Sequence, residues 1–195
     1  MDTTKMVSRE DLDSMLQWQE KNSVKTQAYL RDYTILLLLG DAGLRIGELV
    51  QLVVSDVLGD YELVRSLDVR KEIAKYKIPR VIPLSKRLRG SLHQYLRELA
   101  PGIDDRNRFL FPARSGHSGH LSERQIQNIV ERISLPALGK KVHPHMLRHG
   151  FATFLMRTTP LPVVQRLLGH KNLSSTQAYV HPDSKDLFDA IDSLG

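Results

Sequence analysis

Apolar residues recur at helical spacing from near the start of the chain. Leu12, Met15 and Leu16 follow Ser8, an N-cap type whose next residues, Arg9-Glu10-Asp11, bring acidic charge into the first turn, so a helix is predicted over about 8–20. A second, more deeply buried helix is predicted over about 28–40, where the apolar run ends at Gly40 and an Asp41-Ala42-Gly43 turn. Arg45 opens a short helix reaching Leu52. From Tyr61 to Leu84 the pattern changes to Val and Ile among alternating charges, and Pro79 and Pro83 forbid a helix, so two or three antiparallel strands are expected. Ser85 starts an amphipathic helix with Leu88, Leu92, Tyr95, Leu96 and Leu99 on one face, stopped by Pro101-Gly102. Residues 104–119 are polar and rich in Gly and Ser apart from Phe109-Leu110-Phe111, the pattern of a surface loop. Further helices are predicted at about 122–133, 144–158, 162–168, 174–179 and 184–194. No repeat is present, and the economical fold is one mainly α domain over residues 1–195 with a small antiparallel β-sheet, an α+β arrangement.

Composition removes several classes of function. The longest uninterrupted apolar run, Ile35 to Leu39, is five residues, far short of the roughly 20 needed to span a bilayer. The N-terminal Met1-Asp2-Thr3-Thr4-Lys5 has no apolar core behind a basic cap, so no secretory signal is read there, and cytoplasmic residence is the expectation. Zero cysteines exclude disulfide scaffolds, thiol catalysis and thiolate-bound zinc.

Charge is uneven. The chain carries a net +6, yet residues 65–89 alone hold nine basic residues and two acidic ones. Clustered Lys and Arg release condensed counterions when they meet phosphates, which points to a polyanion; a solvated basic face is the alternative. Lys71, Lys77 and Arg80 in this stretch, and Lys171 beyond it, are the candidate DNA contacts. The few aromatic residues lie mostly inside apolar runs and make no stacking platform for single strands, so double-stranded DNA is the expected partner.

Four segments place polar residues inside apolar helical patterns. In Ala42-Gly43-Leu44-Arg45-Ile46-Gly47-Glu48-Leu49, Arg45 stands at a helix start and Glu48 one turn on, spaced as a surface ion pair or as an orienting pair. In His143-Pro144-His145-Met146-Leu147-Arg148-His149, residues 145, 148 and 149 share a face that needs solvent or an anion. Two His at i and i+4 suggest zinc, but the metalloprotease pattern wants Glu where Met146 stands, so no metal site is expected. Gly169 reads as a helix C-cap with His170 just beyond it, and Ser175-Thr176-Gln177-Ala178-Tyr179 follows. Asp104-Asp105 reads as a solvated turn far from these groups, so the carboxylate cluster of a metal-dependent transposase is missing.

These segments together resemble the catalytic domain of the tyrosine recombinase family, which includes phage integrases, chromosome-dimer resolvases and fimbrial-switch invertases. The resemblance runs from about residue 8 to 190 and rests on Arg45 in GLRIGEL, His145 and Arg148 in HPHMLRHGFAT, His170 in LLGH and Tyr179 in STQAYVH. It implies that Tyr179 attacks a scissile phosphodiester, that Arg45 and Arg148 hold the non-bridging oxygens, and that His145 and His170 handle protons. The product is a 3′-phosphotyrosine that a 5′-hydroxyl then attacks, with no cofactor. It also implies a hairpin lysine that protonates the leaving 5′-oxygen. Counting back from Val81-Ile82-Pro83-Leu84 selects Lys75, flanked by Ala74 and Tyr76 where the family often has glycines, and Lys71 and Lys77 stay as alternatives.

In the family such a domain usually follows an N-terminal core-binding domain, here expected to be absent from the chain, whether as an excised fragment or as a natural single-domain enzyme. The family also works as a homotetramer on DNA, with a monomer expected in isolation. A C-terminal helix carrying Leu187, Phe188, Ile191 and Leu194 either caps its own domain or docks into a neighbour. Two rivals remain: a type IB topoisomerase, which shares the Arg, Lys, Arg, His, Tyr set, and a non-catalytic DNA-binding regulator of the same fold.

Overall fold

A computed structural model describes residues 7–59, 62–99, 105–113, 119–169 and 184–194. Its centre is α2 (Gln27–Gly40), in which Ile35 through Leu39 have no solvent exposure. A helix apolar on all sides must be surrounded, and α2 is: α1 (Arg9–Asn22), α4 (Lys86–Glu98), α5 (Glu123–Leu138) and α6 (Pro144–Thr158) all pack on it. Ser8 caps α1 by accepting from the Asp11 amide while the Asp11 carboxylate accepts from the Ser8 amide, as the sequence signals. The predicted apolar face of α4 is also found, with Leu88, Leu92, Tyr95, Leu96 and Leu99 all buried.

Between α2 and α4 the chain forms α3 (Ile46–Val50), then a hairpin of β1 (Ser66–Val69) and β2 (Arg80–Pro83), antiparallel with Leu67 opposite Ile82 and Val69 opposite Arg80. Leu67, Val69, Ile82 and Arg80 point inward while Val81 stays exposed, the alternation a one-sided ribbon requires. Among the described residues the sheet has two strands. Before β1, among the described residues, Leu58 and Leu63 form an isolated bridge, and Val53 forms another with Phe109.

Two predicted boundaries shift. The helix expected to end near Ile133 continues through Pro136 to Leu138 and closes on Gly139, whose φ of 68° is left-handed. Pro136 is the third residue from the end of α5, so it leaves only the Arg132 carbonyl without its helical donor before the helix closes. The expected surface loop is in part interior: Leu110 and Phe111 are fully buried, the Leu110 amide donates to the Leu52 carbonyl, and the Tyr95 hydroxyl donates to the Leu110 carbonyl. Tyr95 and Phe111 stack at 5.6 Å, so three apolar residues in a polar segment serve as its anchor.

Beyond α6 lie α7 (Leu161–Leu168) and α8 (Ser184–Asp192). Leu187, Ala190, Ile191 and Leu194 are buried, and α8 packs on α7 and β2 of its own chain. Arg9 fastens this end by donating to the Leu194 carbonyl at 2.8 Å. The helix predicted at 174–179 lies outside the described residues.

Candidate active site

Gly43 sets up the site. Its φ of 60° is left-handed, and a Cβ there would lie 2.3 Å from the Phe151 ring, so the turn between α2 and α3 can press directly on α6. Arg45 follows at the start of α3, and its backbone N–H and Nη1 donate to the two Glu48 oxygens at 2.9 and 3.1 Å.

Sequence spacing fits a surface pair or an orienting pair; Glu48 is only 2% exposed, so the pair is not a surface one. Arg80 clasps it from β2 with two parallel bonds, Nη1 to Oε1 at 2.9 Å and Nη2 to Oε2 at 2.7 Å, while its Nε donates to the Leu167 carbonyl. The Lys75 amide approaches Oε1 at 3.4 Å. Burial would raise the Glu48 pKa, but the hydrogen bonds and charge of Arg80, then of Arg45, outweigh it and hold the carboxyl at about 2.

This is where Arg80 departs from its expected place. It is 6% exposed with its donors committed to Glu48 and Leu167, so it is an internal strut and not a surface contact for DNA. The signal was present in the pattern, since Arg80 shares strand parity with the inward-facing Ile82.

Arg148, on α6, is also 6% exposed, while His149, expected on the same helical face, is exposed. Its Nη2 donates to the Leu168 carbonyl at 2.7 Å and its Nη1 to the Gly43 carbonyl. Neutral acceptors orient the guanidinium without neutralising it. Burial, then repulsion from Arg45 and Arg80, pull its pKa down to about 9, with Glu48 offsetting only part. The cation remains protonated at neutral pH, in a place that favours an incoming anion.

Arg45, Glu48, Lys75, His145 and Arg148 line one open cleft of about 370 Å³. His145 reaches it from the first turn of α6, after Pro144 at the first helical position. Of the three hairpin lysines, Lys75 is the one on the lining; Lys71 is exposed outside it, and Lys77 donates to the Glu72 carbonyl at 3.1 Å. Glu123, at the start of α5, is a lining residue that the motif reading missed, because nothing in its local sequence marks it. His170, Lys171 and Tyr179 lie outside the described residues.

Residues 5–186 match the model of the phage integrase family. The chain belongs to that family. Among its curated relatives, tyrosine recombinase XerD of Brucella suis biovar 1 is 41% identical over 159 residues, covering 78% of this chain and 48% of the relative. Tyrosine recombinase XerA of Pyrococcus horikoshii is 36% identical over 183 residues, covering 92% of this chain and 60% of the relative. A solved structure of the XerH site-specific recombinase bound to difH substrate, in a pre-cleavage complex, superposes with a TM-score of 0.69 at 25% identity. It covers 86% of this chain and 47% of that one. The chain thus spans about half the length of the relatives it matches, and its fold is that of the integrase catalytic domain.

Proposed function

We propose that this integrase-family chain carries the strand-breaking and rejoining centre of a site-specific recombinase acting on double-stranded DNA. The observation that carries the reading is the cleft itself: Arg45 from the start of α3, Lys75 from the hairpin, and His145 and Arg148 from α6 converge there, and the buried carboxylate beside them, Glu48, is already occupied by Arg80. Such a concentration of basic side chains suits a phosphodiester whose non-bridging oxygens gain charge in the transition state. Guanidiniums are planar forks, charged at neutral pH and matched to two of those oxygens at once.

In the proposed reaction the Tyr179 oxygen attacks phosphorus in line, its proton passing to His145 or His170, and the P–O5′ bond breaks. Lys75 supplies the proton that the departing 5′-oxygen takes up. A 5′-hydroxyl then attacks the 3′-phosphotyrosine and returns a proton as the tyrosine leaves. The carbonyl of Leu168, two residues before His170 in the chain, is already hydrogen-bonded to Arg148, which supports a place for His170 at the same phosphate. Lys71, Lys77 and Lys171 are proposed as flanking phosphate contacts. The functional unit is proposed to be a homotetramer on DNA built from monomers, in the cytoplasm.

The test is covalent capture. A randomised pool of nicked duplexes, in which the released 5′ fragment diffuses away, is incubated with the chain in EDTA, and adducts that survive denaturant are collected and sequenced. Adducts of one recurring site from wild type and none from Tyr179→Phe are expected. A requirement for metal, or equal adduct from Tyr179→Phe, would overturn the mechanism. Relaxation of supercoiled plasmid without exchange of strands between duplexes would favour the topoisomerase reading.

A further inference from the structure

At the tip of the hairpin between β1 and β2, Tyr76 has φ 62° and ψ 16° and Lys77 has φ 58°, two successive non-glycine residues in the left-handed region. Bulky residues rarely adopt that conformation, which glycine takes freely. Tyr76 nevertheless stands there, 58% exposed, with its ring centroid 5.1 Å from the Lys75 ammonium. Among the described residues no carboxylate pairs with that ammonium.

We propose that Tyr76 is a positioning residue for strand transfer: its ring holds the Lys75 ammonium at the mouth of the cleft, ready for the leaving 5′-oxygen. This rests on the recombinase reading above. A lysine at an exposed hairpin tip would otherwise spread over many rotamers, losing orientation when it must meet one oxygen. An aromatic face restrains the cation electrostatically. A carboxylate would restrain it too, but as a competing base it would hold the proton that the reaction has to release. The ring supplies no such acceptor. As the P–O5′ bond breaks, Lys75 gives one proton to the departing oxygen and becomes a neutral amine; in rejoining, the attacking 5′-hydroxyl returns it. The left-handed turn brings the ring beside its sequence neighbour.

The experiment compares two nicked duplexes carrying the captured site, identical except that sulfur replaces the scissile 5′-bridging oxygen. A thiolate leaves without needing a proton. On the oxygen substrate, Lys75→Ala should lose cleavage by about a hundredfold or more, and Tyr76→Leu and Tyr76→Gly by about three- to fivefold. All three should match wild type on the sulfur substrate. Tyr76→Gly keeps the turn conformation while removing the ring, and Tyr76→Phe should retain wild-type rates on both. In parallel, the side-chain Hε resonances of Lys75 in the 195-residue chain, assigned with Lys75→Arg, should lie upfield in wild type and Tyr76→Phe and move downfield in Tyr76→Leu.

Equal slowing of Tyr76→Leu on both substrates would reduce Tyr76 to a structural role and overturn the proposal, as would absence of the upfield shift. Failure of sulfur to restore Lys75→Ala would remove Lys75 as the proton donor while leaving recombination itself standing. A pool that yields no adduct from wild type would overturn the recombinase reading and this inference with it, even if the ring contact is seen in solution.

Discussion

Asp41 and Glu48 lie seven residues apart, and both are buried among arginines, yet their surroundings differ in a way that separates scaffold from site. Asp41 accepts from Arg9, from two nitrogens of Arg87 and from the Ser85 hydroxyl, and Arg87 also pairs with Asp13. Two carboxylates face two guanidiniums, so that cluster is balanced and joins the starts of α1 and α4 to the end of α2. Burial pushes the Asp41 pKa up, but the hydrogen bonds and charges of Arg87 and Arg9 outweigh it and leave the pKa lowered. Around Glu48 one carboxylate faces Arg45 and Arg80, with Arg148 close enough to be repelled by both. That cluster is left with excess positive charge, and it opens onto a cleft. A balanced buried network holds a fold together, whereas an unbalanced one creates a place for a missing anion.

The most severe break should be Arg148→Ala. Losing a preorganised donor of this type costs about 100- to 1,000-fold in rate, read as adduct per unit time on the captured duplex, with circular dichroism showing the fold retained. Arg148→Lys keeps a charge but not the fork and should recover only part of the rate.

Next come the two carboxylates. Asp41→Asn takes the carboxylate from Arg9 and leaves Arg87 with Asp13 alone, and Glu48→Gln takes it from Arg45 and the buried Arg80. Breaking a buried pair in this way typically costs about 3–5 kcal/mol, measured by urea unfolding, with Asp41→Asn at the lower end because Arg87 is partly exposed and keeps Asp13. The comparison predicts a divergence: Glu48→Gln should tighten binding of sulfate at the cleft, while Asp41→Asn should leave it unchanged. Equal effects of the two on sulfate would mean that the two clusters do not differ in their unmatched charge.

Acid should act through the same groups. Glu48 is held at about 2 in the folded chain against an ordinary 4.5, so its contribution is complete above about pH 4.5 and lost as pH falls toward 2. The size is on the order of 3 kcal/mol. Unfolding free energy measured across that window should fall in wild type and be flatter in Glu48→Gln, with the lowered Asp41 supplying the slope that remains.

Smaller still, sulfate at about ten times its Kd should stabilise wild type by roughly 1.4 kcal/mol, seen as a rise in Tm. The rise should vanish in Arg148→Ala and persist in Arg87→Ala. The least effect is expected from Lys71→Ala, an exposed lysine outside the cleft: duplex binding weakened without regard to sequence, and the slope of log K against log salt reduced by about one.

The helices and the hairpin were largely legible because their cues are local. Ser8 and Ser85 cap the helices they announce, Pro83 ends β2, and the apolar spacing of α4 matches its buried face. Arg45, Lys75, His145 and Arg148 were also legible as candidates, since they stand in short motifs of recognisable order, and they meet at one cleft. Arg80 was misplaced because a basic residue in a basic stretch looks like surface, and only strand parity with Ile82 argued otherwise. Asp41 looked like an ordinary turn residue. Its partner Arg87 lies 46 residues away, and periodicity carries no information over that separation. Leu110 and Phe111 were hidden by the polarity of the segment around them.

From the sequence alone came the helical and strand segments, the excess of basic residues and the set of side chains fit for phosphoryl chemistry. These depend on dihedral preference, side-chain period and residue type, all properties of neighbours in the chain. Tertiary structure alone decided which carboxylate each arginine meets, which basic residues are withdrawn from solvent, and that the cleft keeps unmatched positive charge. Electrostatic energy depends on distance in space and on burial, and both were established only when α2, α6 and the hairpin packed together.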